Sequence, residues 1–253
     1  MGTVRIEDRD GVAVVTLDDG KANTLGSGML RQLRETAEQL AGGRGGVVLT
    51  GAGRFFSAGL DLAEVGSMGR DGIGEILDLV DGMCRDWFAM PRPVVCAVNG
   101  HAIAGGAILA LAGDGRLAAR GEYKLGLTEI ALGIPFPGVA LEVVRYRVGS
   151  AYRDRVILQG ELFGPDAAAA AGLVERVTEP DRLIDEAVSL AARLARAPGV
   201  AFAHTKKSLL AASLARMQSE QDAHREAFLD ALARPDVQAH IRATLEAMKA
   251  RKK

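Results

Sequence analysis

Residues 101–111 read HAIAGGAILAL. They follow an apolar run, PVVCAVNG at 93–100, and lead into a short apolar segment of helical character. The pair Gly105-Gly106 thus sits between two hydrophobic elements, where glycine lets the backbone come close to something a side chain would hold off. A helix beginning at Gly105 or Gly106 would also turn its free N–H groups and the positive end of its dipole toward the loop. What comes so close, and whether a catalytic group follows in the next turn, are the questions on which fold and function depend.

The surroundings repeat one pattern. Upstream, GGVVLTG (45–51) reads as a buried strand that opens into the loop GAGRFFSAGLDL (51–62). A helical stretch from about Gly74 to Met90 follows, then the breaker Pro91-Arg92-Pro93, the strand PVVCAVNG, the loop HAIAGG and an apolar helix. RLAAR (116–120) is a further strand candidate. Near the start, VRIED (4–8) and VAVVTL (12–17) flank Asp10-Gly11, a hairpin signal. GKANTLG (20–26) is a loop, and MLRQLRETAEQL (29–40) carries Met29, Leu33, Ala37 and Leu40 at helical spacing before Gly42-Gly43. Strand, loop and helix recur without a fixed-length repeat, which predicts an α/β domain of stacked, roughly parallel turns.

After about Gly164 the character changes. PDAAAAAGLVERV begins as a helix with proline at its first position and Gly172 past its end. From Asp181 onward four stretches form helix: DRLIDEAVSLAARLARA, TKKSLLAASLARM, QDAHREAFLDALA and PDVQAHIRATLEAMKARKK. The expected organisation is an α/β core over residues 1–180 and a helical region over 181–253, whose amphipathic helices suit docking on partner subunits.

Composition narrows the function. The 253 residues are 48% hydrophobic and 25% charged with a formal net charge of −1, so the basic excess of a nucleic-acid binder is missing. Cys84 and Cys96 make neither a disulfide framework nor a metal cluster, and the start MGTVRIEDRDG has no apolar signal core. No apolar run approaches the ~20 residues a membrane helix needs. A cytoplasmic protein with no membrane or nucleic-acid partner is expected.

Several catalytic ideas fail on the residues. GAGRFF has two glycines of a dinucleotide fingerprint, but Phe56 stands where the third belongs, which argues against a nicotinamide-dependent dehydrogenase. Ser57 is no nucleophile elbow, because Phe55 takes the place of its first glycine. His204, His224 and His240 lie on C-terminal helices without metal-ligand spacing, and His101 reads as a loop residue beside the glycine pair. No metal is expected. What remains are two loops of small residues after buried strands, FSAGLDL (56–62) and HAIAGGAIL (101–109). Backbone N–H groups from both, converging on one oxygen, would form an oxyanion hole.

GAGRFFSAGLDL, PVVCAVNGHAIAGGAILALAGD, LGLTEIALGIPFPG and AAAAAGLVERV occur in that order. Together with DDGKANTL near the start, they resemble the crotonase superfamily, the enoyl-CoA hydratase and isomerase group, over roughly residues 4 to 178. The resemblance implies a spiral of repeated ββα units with a helical C-terminal region, assembled as a trimer or a dimer of trimers. It implies an acyl-CoA thioester as substrate, with coenzyme A part of that substrate and no separate cofactor.

Carried over residue by residue, the resemblance makes Leu60 and Gly105 the two backbone donors to the thioester oxygen. Chain around Lys21, Ala22 and Leu25, with Ala58 and the neighbouring Asp61, would hold coenzyme A, and Lys21 and Arg54 would be candidates for its phosphates. Asp61 is also expected to fix its loop, and Asp114 to be structural. Family hydratases carry two glutamates, one of them three residues beyond the second donor, where this chain has Ile108. The other is present as Glu129. Isoleucine can neither take a proton nor hold a water, so ordinary hydration is put in doubt. One carboxylate suffices to move a proton from the α to the γ carbon, the 3-enoyl-CoA to 2-enoyl-CoA isomerisation. Apolar neighbours Ile108, Ile130 and Leu132 would favour the neutral acid. A hydratase drawing its second acid from Glu64, and a silent acyl-CoA carrier, are the alternatives. Acyl specificity is expected to depend on a wall built partly from MGRDGIGEILDLV (68–80) and from IPFPG, which contains Pro135.

Overall fold

A computed structural model describes residues 2–250; Met1 and residues 251–253, the last of the expected helical region, lie outside the described residues. The chain is a spiral whose first turn is a hairpin and a helix and whose next three turns each place one strand in a large sheet, one in a small sheet, and then a helix.

The first two strands, β1 (Thr3–Arg9) and β2 (Val12–Asp18), form the expected antiparallel hairpin. Asp10 and Gly11 turn it with φ of 54° and 78°, the positive angles that a tight hairpin turn requires. β3 (Val47–Gly51), β5 (Val94–Val98), β7 (Gly115–Ala119) and β9 (Arg176–Thr178) then add in parallel. The sheet order is β1-β2-β3-β5-β7-β9. VVL and VVCAV read as unbroken apolar runs because both faces of these strands are buried, and in GRLAA only the buried Arg116 interrupts the pattern.

The small sheet consists of β4 (Phe55–Ser57), β6 (His101–Ile103) and β8 (Leu125–Gly126), all parallel. Stretches that read as loops in the sequence are strands here. Each turn closes with helix: α1 (Ser27–Ala41) after β2, α2 (Leu62–Val65) and α3 (Arg70–Phe88) after β4, α4 (Gly105–Ala112) after β6. After β8 come a 3₁₀ turn (Ile130–Leu132) and α5 (Gly138–Arg147). α3 begins at Arg70, ahead of the expected Gly74, so the stretch MGRDGIGEILDLV is mostly its first half.

α6 (Ser150–Ile157) and α7 (Pro165–Ala170) lead to β9, and α8 (Leu183–Leu194) lies across the large sheet. TKKSLLAASLARM and QDAHREAFLDALA belong to one helix, α9 (Gly199–Ala233), followed by α10 (Pro235–Ala250). These helices pack on their own chain, α9 along α5 and α3. The join is ionic as well as apolar: Asp114 accepts from Val94 N at 3.0 Å and from Lys206 Nζ at 2.7 Å, with Arg147 at 3.5 Å. Asp114 thus has the structural place expected of it. Ile73, Leu77, Ile134, Leu229, Leu232 and Ile241 form a second, smaller core apart from the main one, drawn from α3, the segment after the 3₁₀ turn, α9 and α10.

Candidate active site

Parallel pairing of β4 with β6 sets Phe55 against His101 and Ser57 against Ala102, so the two small-residue loops run side by side. Leu25 N–H donates to Gly59 O at 2.8 Å, and Asp61 N–H reaches Leu25 O at 3.5 Å. In such a parallel bridge the intervening residue points its N–H the other way, which directs Leu60 N–H toward the second loop. A methyl group placed on Gly105 would lie 3.8 Å from Leu60 N, and one on Gly59 would lie 3.0 Å from Gly105 N. The two amides therefore lie on either side of Gly59, and both residues line one hollow.

Gly105 opens α4, so its N–H has no partner within the helix. The residue before it, Ala104, has φ 50° and ψ −126°, a sparsely populated conformation that costs of order 1–3 kcal/mol and persists only where the surroundings impose it. Here they do: Ala104 N–H donates to Gly126 O at 2.9 Å, and its carbonyl accepts from Ile108 N at 3.1 Å. The strained residue swings the chain from β6 into α4 and presents Gly105 N–H to the hollow.

The two glycines of the pair differ in role. A methyl on Gly106 would overlap Ser57 O and lie 2.8 Å from both Ser57 C and Ser57 Cβ, whereas one on Gly105 would meet Leu25 Cδ1 at 3.3 Å. The close approach that glycine permits is made by Gly106 against β4. Gly105 leaves its side open to the hollow.

Glu129 stands just before the 3₁₀ turn and is 7% exposed. Its carbonyl accepts from Leu132 N at 3.1 Å and Ile134 N at 2.8 Å, which fixes the turn. Its carboxylate Oε2 has no hydrogen-bond partner, and burial pushes the carboxyl up to about 7 despite nearby backbone N–H groups of Glu129 and Thr128. A carboxyl at that value exchanges protons readily near neutrality. Ile108 and Leu132 line the hollow with it, together with Ile76, Leu77 and Val80 from α3. Ile130 does not belong to that apolar setting, being 46% exposed.

Other expectations fall on either side of the hollow. Glu64 turns away, accepting from Ser27 N at 3.0 Å at the start of α1, so it supplies no second acid beside Glu129. Asp61 caps α2, accepting from Ala63 N and Glu64 N at 3.0 and 3.1 Å. Pro135 lines the neighbouring depression, and Ile134 and Pro137 take the hollow's wall instead. His101 is half-buried against Phe55 and accepts from Lys124 N through Nδ1 at 3.3 Å, outside the hollow. His240 Nε2 bonds Ala131 O at 3.1 Å, so this helix residue steadies the turn that carries Glu129.

The 21–25 segment is laced to the first loop. Ala58 N–H donates to Ala22 O at 2.9 Å; Lys21 is exposed, as is Arg54. Two residues not singled out in the sequence hold this lacing. Asn23, at φ 52°, donates from Nδ2 to Ala52 O at 3.0 Å and Phe55 O at 2.8 Å, and its carbonyl accepts from Ser57 Oγ at 2.7 Å. Asp19 accepts from Lys21, Asn23 and Thr24 N–H at 2.7–2.8 Å. Burial would raise its carboxyl, but the hydrogen bonds from Thr24, Asn23 and Lys21 hold it below the usual range. An Asn or Asp that gathers its own neighbours' amides is the available sequence signal. Asn23→Ala leaves Ala52 O without its donor and Phe55 O with only the longer bond from Asn99 Nδ2 at 3.3 Å, and is expected to cost about 1–3 kcal/mol in denaturant unfolding.

The hollow also draws on the end of the chain: Phe228 and Leu232 of α9 close it. Leu60, Gly105 and a carboxyl with one unpartnered oxygen thus line an apolar cavity together with side chains from α3, α4 and α9, an arrangement able to polarise a carbonyl and move a proton beside it.

Comparison with known proteins agrees. Residues 7–252 match the family model of enoyl-CoA hydratase/isomerase. A putative enoyl-CoA hydratase of Thermus thermophilus is 37% identical over 206 residues, 79% of this chain and 81% of that protein. Human mitochondrial enoyl-CoA delta isomerase 1 is 29% identical over 246 residues, 96% of this chain and 82% of that protein. The crystal structure of human mitochondrial delta3-delta2-enoyl-CoA isomerase superposes with a TM-score of 0.94 at 28% identity, covering 99% of both chains. The chain belongs to the enoyl-CoA hydratase/isomerase family and is an enzyme of the crotonase superfamily. Among the described residues, no helix is long and apolar enough to cross a membrane.

Proposed function

We propose that this enzyme isomerises 3-enoyl-CoA to 2-enoyl-CoA. The observation that carries the reading is a single buried carboxyl, Glu129, with an unpartnered oxygen, in a hollow that Ile108 lines and whose lining residues include no second acid. The relative named an isomerase supports it, since the structural likeness extends through the C-terminal helices that wall the pocket.

In this reading the thioester oxygen accepts from Leu60 N–H and Gly105 N–H, which acidifies C2. Glu129 carboxylate takes a C2 proton as the C2–H bond breaks, giving a dienolate whose negative charge rests on that oxygen. The neutral acid then returns the proton to C4; the C4–H bond forms and the double bond moves from C3–C4 to C2–C3. The apolar walls keep water from the dienolate. Chain at Lys21, Ala22, Leu25 and Ala58 holds the coenzyme A portion, and Asp61 serves it indirectly by fixing α2.

The test offers purified protein 3-enoyl-CoA and 2-enoyl-CoA of several lengths. Conjugation of the first without water addition to the second is the expected result. Water addition to 2-enoyl-CoA as the faster reaction would replace isomerase with hydratase, the name its Thermus relative bears. Binding without turnover of either would make the chain an acyl-CoA carrier.

The base must be ionised to start the reaction, and burial lifts it to about 7. The pH profile of kcat/KM is therefore expected to rise with pH through an apparent value near 7 and level off above it, falling about tenfold per unit on the acid side. A profile flat down to pH 5 would remove Glu129 as the base.

A further inference from the structure

The fold buries a second carboxyl for which the isomerisation has no use. Asp81 lies on α3 one turn beyond Leu77, is 3% exposed, and leaves Oδ1 without a hydrogen-bond partner. The nearby guanidinium groups are engaged elsewhere. Arg85 donates to Gln221 Oε1 at 2.7 Å, and Arg225 donates to the two Asp78 oxygens at 3.2 and 2.8 Å. A buried carboxyl with no partner is costly where an apolar side chain would be cheap.

Asp81 lines a depression that also takes in Phe136, Leu141 and Arg225. Leu77, Pro137 and Phe228 line this depression and the Glu129 hollow alike, so the second begins where the first ends. Phe228 is only half-buried. An acyl chain that runs from Glu129 past Leu77 and Phe228 arrives at Asp81.

We propose that Asp81 is a specificity-determining residue, accepting a hydrogen bond from a hydroxyl group carried near the far end of the acyl chain. The depression is then a subsite for hydroxylated acyl-CoA. A neutral donor suits it better than an ion: a cation would meet Arg225 and a carboxylate would meet Asp81, both of which line the depression. Burial lifts the Asp81 carboxyl to about 7, and ionised or neutral it keeps an acceptor oxygen for the hydroxyl. This inference rests on the acyl-CoA reading of the hollow but not on the isomerisation.

Calorimetric binding tests it without turnover. Saturated acyl-CoA thioesters of increasing length are titrated in three forms: unsubstituted, hydroxylated at the terminal carbon, and ending in a carboxylate. Wild type, Asp81→Asn and Asp81→Leu are compared, with thermal melting to confirm that each variant folds. Wild type is expected to bind the hydroxylated form roughly tenfold tighter than its unsubstituted parent at one preferred length. Asp81→Asn, which keeps a carbonyl acceptor, retains part of that preference, and Asp81→Leu loses it. Equal affinity at every length, a preference that survives Asp81→Leu, or tightest binding of the carboxylate form would overturn the proposal while leaving the acyl-CoA site intact. Failure of wild type to bind any of the thioesters would overturn both.

Discussion

Glu129→Gln is expected to leave a folded protein that still binds acyl-CoA and converts 3-enoyl-CoA about 10²–10⁴-fold more slowly. Glutamine keeps the size of the side chain and cannot take a proton. Oε2 has no partner in the fold and no ion pair is lost with the charge, while the backbone N–H groups of Glu129 and Thr128 that favour the carboxylate still find an acceptor oxygen on glutamine. Removing a buried carboxyl that burial has lifted to about 7 is instead expected to raise the melting temperature slightly at pH 8, where the native enzyme bears the cost of an ionised, dry carboxylate. Loss of activity together with unchanged or higher stability separates a chemical role from a structural one. A variant that isomerises at the native rate would end the single-base mechanism.

Gly106→Ala is expected to damage stability and turnover together through the addition of a single carbon atom. In an ordinary helix the exchange would stabilise by about 1 kcal/mol. Here the sign reverses, because the methyl would overlap Ser57 O and press on Ser57 C and Cβ at 2.8 Å. α4 must then shift off β4, at a cost of about 1–3 kcal/mol. The shift carries Gly105 N–H away from Leu60 N–H, and loss of one such donor typically lowers kcat by about 10²–10³. Melting temperature and kcat are expected to fall together. Gly105→Ala is the informative companion: its methyl is tight only against a leucine tip at 3.3 Å, with Gly59 Cα and Leu60 N in ordinary contact at 3.7 and 3.8 Å, so it should fold well and show its effect in turnover. Equal stability for the two variants would mean that α4 does not pack on β4 as described.

What the residues alone revealed of this fold was its buried part. Long apolar runs such as VVCAV mark the large sheet, because strands covered on both faces carry one hydrophobic residue after another. Asp10-Gly11 marks the hairpin for a local reason, the positive φ at both positions. The small sheet left no such trace. Its strands have three, three and two residues, too few for an alternation to emerge, and what defines them is pairing with each other across the spiral. The break expected within α9 likewise has no counterpart, since packing against α5 and α3 carries one helix from Gly199 to Ala233.

At the site, the segments were legible and the walls were not. Leu60, Gly105 and Glu129 were found because ordered motifs point at them, and the structure brings all three to one hollow. Phe228 and Leu232 could not be found that way. They lie about a hundred residues downstream on a helix of ordinary amphipathic composition, and only tertiary packing sets them against Ile76 and Leu77. Asp81 was missed for a related reason: an aspartate within a helix usually faces water, and only the packing around it shows that this one does not.

Those two walls come late in the chain. Every group proposed to touch the reacting atoms has been synthesised by residue 129, whereas the residues that roof the acyl chain follow at 228–232 and belong to the small separate core with Ile73, Leu77 and Ile241. The order along the chain separates the two parts: a chain that ended before α9 would carry Leu60, Gly105 and Glu129 and would lack the residues that complete the wall of the hollow.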